Sequence, residues 1–319
     1  MSETEKDHTN TASTNDPFVI DDLLIFDSDT IRALINDKSF ALTPNLLGKA
    51  LHDTDAQLIQ RITSVLTRSE RSIFSGSLAA PISEQDIVAS RRQILSALFW
   101  ELTYWKTPEL YEELTEGEKI HPGIFENIHR YIQDKIVLDV GAGSGRASIE
   151  CLRHNPKRIY AIERSKGLLH ILKEKIDREG LTQWVHPKQG EFIDLPLKRN
   201  SVDTTIACSA FTSKPEQGGK PGLKELKRVT RPGGMIIIIW PNKNDLGWFI
   251  DEGFTYEALP VQGEMSIRFR SLGSAIRIIK RFYRKNINAI TYILRSGKPE
   301  LPFSVLGVKP PHDYCWLRV

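Results

Sequence analysis

The sequence predicts an α/β fold, a doubly wound sheet preceded by a long helical segment. Three observations carry this. From Lys135 onward, short apolar runs alternate with amphipathic stretches, the pattern of a mostly parallel sheet with helices on both faces. The run from Met235 to Trp240 has no polar face and reads as a central strand. Before Lys135, the apolar residues recur only at helical spacings.

In chain order, Met1 to Asp16 is Ser, Thr, Asn and charge with almost nothing apolar. Such a segment cannot bury enough surface to offset its ordering entropy, so residues 1–16 are expected to be a disordered tail. Residues 17–130 are expected to form a helical cap or lid. Leu23, Ile31, Leu34 and Ile35 fall at helical spacings, as do Leu58, Ile59, Ile62, Val65 and Leu66, and then Ile94, Leu95, Leu98, Phe99 and Leu102. Pro44, Pro81, Pro108 and Pro122 divide the segment into several short helices.

Residues 131–319 form the predicted sheet domain. Strands are expected over 135–140, 158–163, 182–188, 202–209 and 235–240, with two later ones over 254–261 and 303–308. Helices are expected over 146–154, 166–180 (closed by Gly180) and 222–229. Between the two late strands lies a basic helical insertion at about 266–298. There Arg277, Lys280, Arg281 and Arg284 fall on one helical face, and Leu272, Ile276, Ile279 and Tyr283 on another.

The composition excludes several function classes. With 40 % apolar and 26 % charged residues, the 319-residue chain has the makings of an ordinary packed core. A net charge of +3 is too small to argue for nucleic acid from the total alone. Three cysteines, Cys151, Cys208 and Cys315, are far apart and offer neither a disulfide framework nor a metal-ligand pair, so no metal is expected and a reducing compartment is. The N-terminus lacks the apolar core of a signal peptide, and the longest apolar run is far too short for a bilayer. These features predict a cytoplasmic protein without a membrane span.

The residues that carry chemistry begin at Val137-Leu138-Asp139-Val140-Gly141-Ala142-Gly143-Ser144-Gly145-Arg146. A strand runs into three glycines at alternate positions, and a helix follows. Glycine permits the tight turn and lets the backbone approach a nucleoside ligand without a Cβ in the way. A dinucleotide fingerprint would read G-x-G-x-x-G, whereas here the third glycine comes early and position 146 is Arg. Asp139, at the strand end, would repel a pyrophosphate and suits a ligand bearing an ammonium group. Glu163 closes the next strand about twenty residues on, where an acid accepts hydrogen bonds from ribose hydroxyls. Read alone, Glu163 is equally a solvated strand end.

From these residues the chain resembles the class I S-adenosylmethionine-dependent methyltransferases, particularly the small-molecule and quinone-type group. The resemblance covers roughly Lys135 to Pro241. It rests also on Gly190-Glu191-Phe192, on Leu195-Pro196-Leu197, on Asn200-Ser201-Val202-Asp203, and on the stretch from Arg228 to Gly234. It implies a Rossmann-like, seven-stranded sheet and S-adenosyl-L-methionine as cofactor. It implies further that Asp139, Gly141, Ala142, Gly143, Gly145, Glu163, Arg164, Glu191, Phe192 and Cys208 surround that cofactor, with Glu191 on the adenine amino group and Phe192 flanking the ring.

The sequence departs from the family where many relatives carry a histidine pair after the fourth strand. Here Cys208-Ser209-Ala210-Phe211-Thr212 stands instead, so no catalytic base is identified. A cysteine at a strand end is more often a small core residue than a nucleophile. Methyl transfer does not require a strong base, because orienting the acceptor and excluding water supply much of the rate. His121 reads as a loop residue. The aromatic stretch from Trp100 to Tyr104 and Trp105 reads chiefly as packing of the helical segment onto the sheet, with Tyr104 or Tyr111 over the cofactor as the sharper alternative.

Three readings of function stay open. The leading one is methyl transfer to a small molecule, with the basic insertion raising the prospect of an anionic acceptor. The second is an RNA or protein acceptor, and the third a non-catalytic S-adenosylmethionine-binding module. A nicotinamide dehydrogenase is disfavoured by Arg146 and by the later matched blocks.

Overall fold

A computed structural model describes residues 17–319, the side chain of Glu216 excepted; the expected tail lies outside this range. The chain divides into two units, one ending at Leu102 and one spanning Thr103–Val319.

The first unit is helical, with helices at Ser28–Asn36, Pro44–Ala50, Ala56–Val65, Arg68–Ala79 and Glu84–Ala97. Their starts follow from capping chemistry: Asp27, Thr43, Asp55, Thr67 and Ser83 each accept a first-turn amide. Leu47, Leu51, Leu58, Ile62, Phe74, Ile94 and Leu98 are buried. Gly48 permits close helix contact, since a Cβ there would lie 2.6 Å from the Phe74 carbonyl oxygen. The apolar run read over 87–104 is two helices, Glu84–Ala97 and Phe99–Lys106, parted at Leu98.

The second unit is built on a seven-stranded sheet. Its strands are β1 (Ile136–Val140), β2 (Arg158–Glu163), β3 (Val185–Gln189), β4 (Val202–Cys208), β5 (Thr230–Ile239), β6 (Thr255–Ala258) and β9 (Asp313–Arg318). A separate hairpin pairs β7 (Ser266–Arg268) with β8 (Glu300–Pro302). The sheet order is β3-β2-β1-β4-β5-β9-β6. The first five strands run parallel, and β9 is antiparallel to both β5 and β6.

Alternation along the strands sorts their side chains into two layers. Val137, Ile159, Ala161, Ile206, Ile237 and Ile239 pack on one side with Phe125, Ala147, Leu172 and Ile176. Leu138, Val140, Ile162, Ala207, Ile236 and Ile238 pack on the other with Leu223, Leu226, Val229 and Phe249. Because both faces are covered, β1 and the second half of β5 read as almost continuous apolar runs, whereas β3 at the sheet edge is largely polar. The strand order reverses between β1 and β4, and a crevice opens at the carboxyl ends of strands at such a switch point.

Two expectations are corrected. The segment read as a strand over 303–308 is a short helix, Phe303–Leu306, closed by Gly307 in the left-handed region. Phe303 and Leu306, three apart, are the residues it buries, a helical and not a strand spacing. The seventh strand of the sheet is β9 instead. The basic insertion is also not one helix. It comprises Leu272–Phe282 and Ile287–Ser296, the second capped by Asn286. The first buries Ser274, Ala275, Ile278 and Ile279, while Leu272 is exposed and Arg284 lies beyond its end. Arg277 and Lys280 remain exposed on it, and Arg281 is partly buried, so the four basic residues do not share one helical face.

Candidate active site

The glycine loop joins β1 to the helix Arg146–Leu152 at the switch point. The amides of Gly141 and Ala142 both donate to the Ile162 carbonyl, at 2.9 and 3.0 Å, and the Gly145 amide donates to the Ala142 carbonyl at 2.8 Å. Gly141, Gly143 and Gly145 have φ of +68°, +56° and +95°, a region that penalises any Cβ. Their surroundings differ. A Cβ on Gly145 would lie 2.6 Å from Leu172 Cδ1, and one on Gly141 2.6 Å from Ala210 Cβ and 2.9 Å from Phe192 Cζ. At Gly143 a Cβ would meet only the Tyr111 hydroxyl, at an unstrained 3.6 Å. Gly145 therefore serves packing, and Gly143 keeps space open above the loop.

Glu163, at the end of β2, is buried and turned toward this loop. Its Oε2 accepts from the Gly143 amide at 2.9 Å, and its Oε1 from the Ser165 amide at 2.8 Å. Burial raises its pKa, and the Ser165 and Gly143 amides partly offset that. The Arg164 amide also acts on this carboxylate, and with about four lone-pair sites it keeps capacity for a further donor.

Asp139 lies beneath the loop and is fully buried. Its Oδ2 accepts from the Ser148 hydroxyl at 2.6 Å, while Oδ1 has no partner among the described residues. Burial pushes its pKa up to about 6, against the Ser148 hydrogen bond. Arg164 and Glu191 are exposed, and Phe192 is partly buried edge-on to Phe211, with centroids 5.2 Å apart. Cys208 ends β4 with its thiol pushed up to about 12, chiefly by burial. A thiol so firmly protonated is not a nucleophile. The following residue, Ser209, and Trp240 after β5 both have positive φ, +54° and +53°. Such backbone strain often marks functional strand ends.

Several residues outside the set expected around the cofactor gather here. Arg146, the first residue of the helix after the loop, pairs with Glu118 at 2.8 Å, and the Tyr283 hydroxyl donates to the other Glu118 oxygen at 3.3 Å. The Arg146 guanidinium also lies 6.0 Å from the centre of the Trp240 ring. Glu112 pairs with Lys175, whose ammonium donates to the Ser144 carbonyl. Glu113 accepts from the Arg270 amide and the Ser274 hydroxyl, both at 2.9 Å. The helix Pro108–Gly117 is thereby tied to the glycine loop, to the helix Lys166–Arg178 and to the insertion. A visible signal was the acid spacing of that helix, Glu109, Glu112, Glu113 and Glu116, which calls for cationic or donor partners.

Of the aromatic stretch, Tyr111 sits beside Gly143, with Tyr104 edge-on to it at 4.9 Å, and Trp105 stacks on His170 at 5.6 Å. His121 caps the helix Pro122–Ile128 through its Nδ1, which accepts from the Gly123 amide. Among the described residues, no helix is long and apolar enough to cross a membrane.

Residues 137–234, which contain the loop, Glu163 and β4, match a protein family described as a methyltransferase domain. They are a methyltransferase domain of the class I S-adenosylmethionine-dependent family. The chain is 25 % identical over 177 residues to Methyltransferase GfsG of Streptomyces halstedii, covering 53 % of this chain and 63 % of that one. It is 28 % identical over 163 residues to demethylmenaquinone methyltransferase of Porphyromonas gingivalis, covering 50 % and 59 %. It also resembles the crystal structure of a SAM-dependent methyltransferase from Aquifex aeolicus, with a TM-score of 0.40, 22 % identity, and coverage of 48 % and 92 %. The chain spans less than two thirds of the length of either curated relative. The matched stretch includes all ten residues expected around the cofactor, seven on β1, β2 and the loops after them, Glu191 and Phe192 after β3, and Cys208 at the end of β4.

Proposed function

We propose that this protein transfers a methyl group from S-adenosylmethionine to a small-molecule acceptor. One observation carries the reading: the Glu163 carboxylate and the open face of Gly143 meet across a 2.9 Å hydrogen bond. This arrangement fits a nucleoside laid on the loop, with a ribose hydroxyl donating to Glu163. Glu191 and Phe192 lie on the segment after β3, where they would flank the adenine. The charge on Asp139 favours a cationic ligand and opposes a pyrophosphate.

When bound, S-adenosylmethionine supplies an electrophilic methyl group on a sulfonium. The chain's own contribution is to orient and enclose. Trp240, Tyr283, Tyr111 and Arg146 border the crevice at the ends of β1, β4 and β5 with half-buried or buried surfaces. Aromatic side chains grouped in this way suit a small planar acceptor. With Cys208 held as a thiol, an acceptor that loses its proton readily needs only positioning and water exclusion. The name of the Porphyromonas gingivalis relative, which states demethylmenaquinone as substrate, points the same way.

The test is methyl transfer itself. The purified protein with methyl-labelled S-adenosylmethionine is incubated with a cell extract split into metabolite, RNA and protein fractions. Label in the metabolite fraction is expected. Label confined to RNA or protein would overturn the small-molecule reading, and no label in any fraction would leave a binding module.

A further inference from the structure

Residues 266–298 carry nine Arg or Lys and no Asp or Glu. Two of the nine pair with acids outside the segment, Arg268 with Glu300 and Arg270 with Glu116. Arg284 and Lys285 precede the helix Ile287–Ser296, and Arg295 and Lys298 stand at its end, all four exposed. Between them lie the two most exposed large apolar side chains among the described residues, Ile287 at 74 % and Leu294 at 62 %. Seven residues make about two helical turns, so these two share one face. The face opposite is anchored by Ala289 and Ile293, packed with Ile278, Ile279 and Leu301. Scattered singly, exposed aliphatic side chains need no explanation; two on one face within a basic rim mark an interaction surface.

Charge and chemistry choose the occupant. A second copy presenting the same face would set like charges against each other. A nucleic acid would engage the cations through its phosphates and leave Ile287 and Leu294 without a partner. An anionic bilayer answers both features, because its acyl boundary takes aliphatic side chains and its headgroups take Arg and Lys. We propose that the helix Ile287–Ser296 and its basic flanks form a docking surface for a membrane bearing anionic lipids, with Ile287 and Leu294 inserting at the acyl boundary. Tyr283, in the turn before this helix, donates to Glu118, which pairs with Arg146 at the crevice. One short connection therefore joins the docking surface to the site. The proposal stands independently of which cofactor the glycine loop holds.

The experiment floats the full chain with vesicles of phosphatidylcholine alone, and of phosphatidylcholine and phosphatidylglycerol in equal parts. Wild-type protein is compared with Ile287→Ser combined with Leu294→Ser, and with Lys285→Gln combined with Arg295→Gln and Lys298→Gln. All five positions are exposed, so the variants should fold, and melting temperature checks this. Wild-type protein is expected to bind the anionic vesicles at least about tenfold more tightly than the neutral ones. Each variant should lose at least about tenfold in partitioning onto the anionic vesicles. Raising salt from about 0.1 M to about 1 M shortens the Debye length from about 10 Å to about 3 Å and should release wild-type protein. Absence of flotation would overturn the proposal. So would flotation that the aliphatic variant leaves unchanged, which is adsorption by charge elsewhere. Binding of a mixed-sequence RNA without flotation would overturn it in favour of a nucleic-acid face. A dimer in sedimentation that Leu294→Ser disperses, again without flotation, would overturn it in favour of an interface between copies.

Discussion

The Gly143 amide donates to Glu163 Oε2 at 2.9 Å, joining the turn after β1 to the end of β2. The same carboxylate that shapes the loop is therefore available to whatever lies on it. If Glu163 accepts a ribose hydroxyl hydrogen bond, Glu163→Ala should weaken nucleoside binding by about 1.5–3 kcal/mol, roughly ten- to hundredfold. Calorimetry with S-adenosylhomocysteine measures this, and a change below about twofold would reduce Glu163 to a support for the loop.

The glycines predict a separation of binding from folding. The Cβ of Gly143→Leu would meet only the Tyr111 hydroxyl, at ordinary contact distance, so the main structural cost there is the positive φ, about 1–2 kcal/mol. Its ligand affinity should vanish while the fold persists. Gly145→Leu collides with Leu172 in the packed layer and should lower the melting temperature further, with overpacking adding about 1–3 kcal/mol. Equal melting temperatures for the two variants would refute this division of roles.

Asp139 predicts a pH dependence. An unfolded aspartate titrates near 3.9, whereas burial holds this carboxyl to about 6. Between those values the folded chain keeps a proton that the unfolded chain has lost. The stability this group contributes is therefore full below about pH 4 and is lost as pH rises through about 6. The loss is on the order of 3 kcal/mol at most. Without ligand, Asp139→Asn should melt higher than wild type at neutral pH, and the gain should disappear in acid. Denaturation curves that stay parallel across that range would show that Asp139 does not titrate this way.

Much of this architecture was legible in the sequence, because strands buried on both faces leave apolar runs too long to hide. The run from Ile236 to Ile239 and the turn at Gly141, Gly143 and Gly145 fall where their pattern placed them. The last strand was not legible. Asp313 opens β9 fully buried, paired with Lys309 and bonded to Tyr256, and a buried acid disguises a strand start as a loop. Phe303-Ser304-Val305-Leu306 looked extended because Val and Phe favour strands, yet Gly307 and the three-residue spacing of its buried side chains close it as a helical turn. The partners of Arg146 were hidden for another reason. Glu118 and Tyr283 are 28 and 165 residues from their respective partners, Arg146 and Glu118, a relation that no local period records.

The central claim, that the loop holds S-adenosylmethionine and not a dinucleotide, is tested most directly by parallel calorimetric titrations of the unmodified protein with S-adenosylhomocysteine and with NAD. Saturable binding of S-adenosylhomocysteine at one site per chain, with no binding of NAD, is the predicted result. Preferential binding of NAD would contradict it.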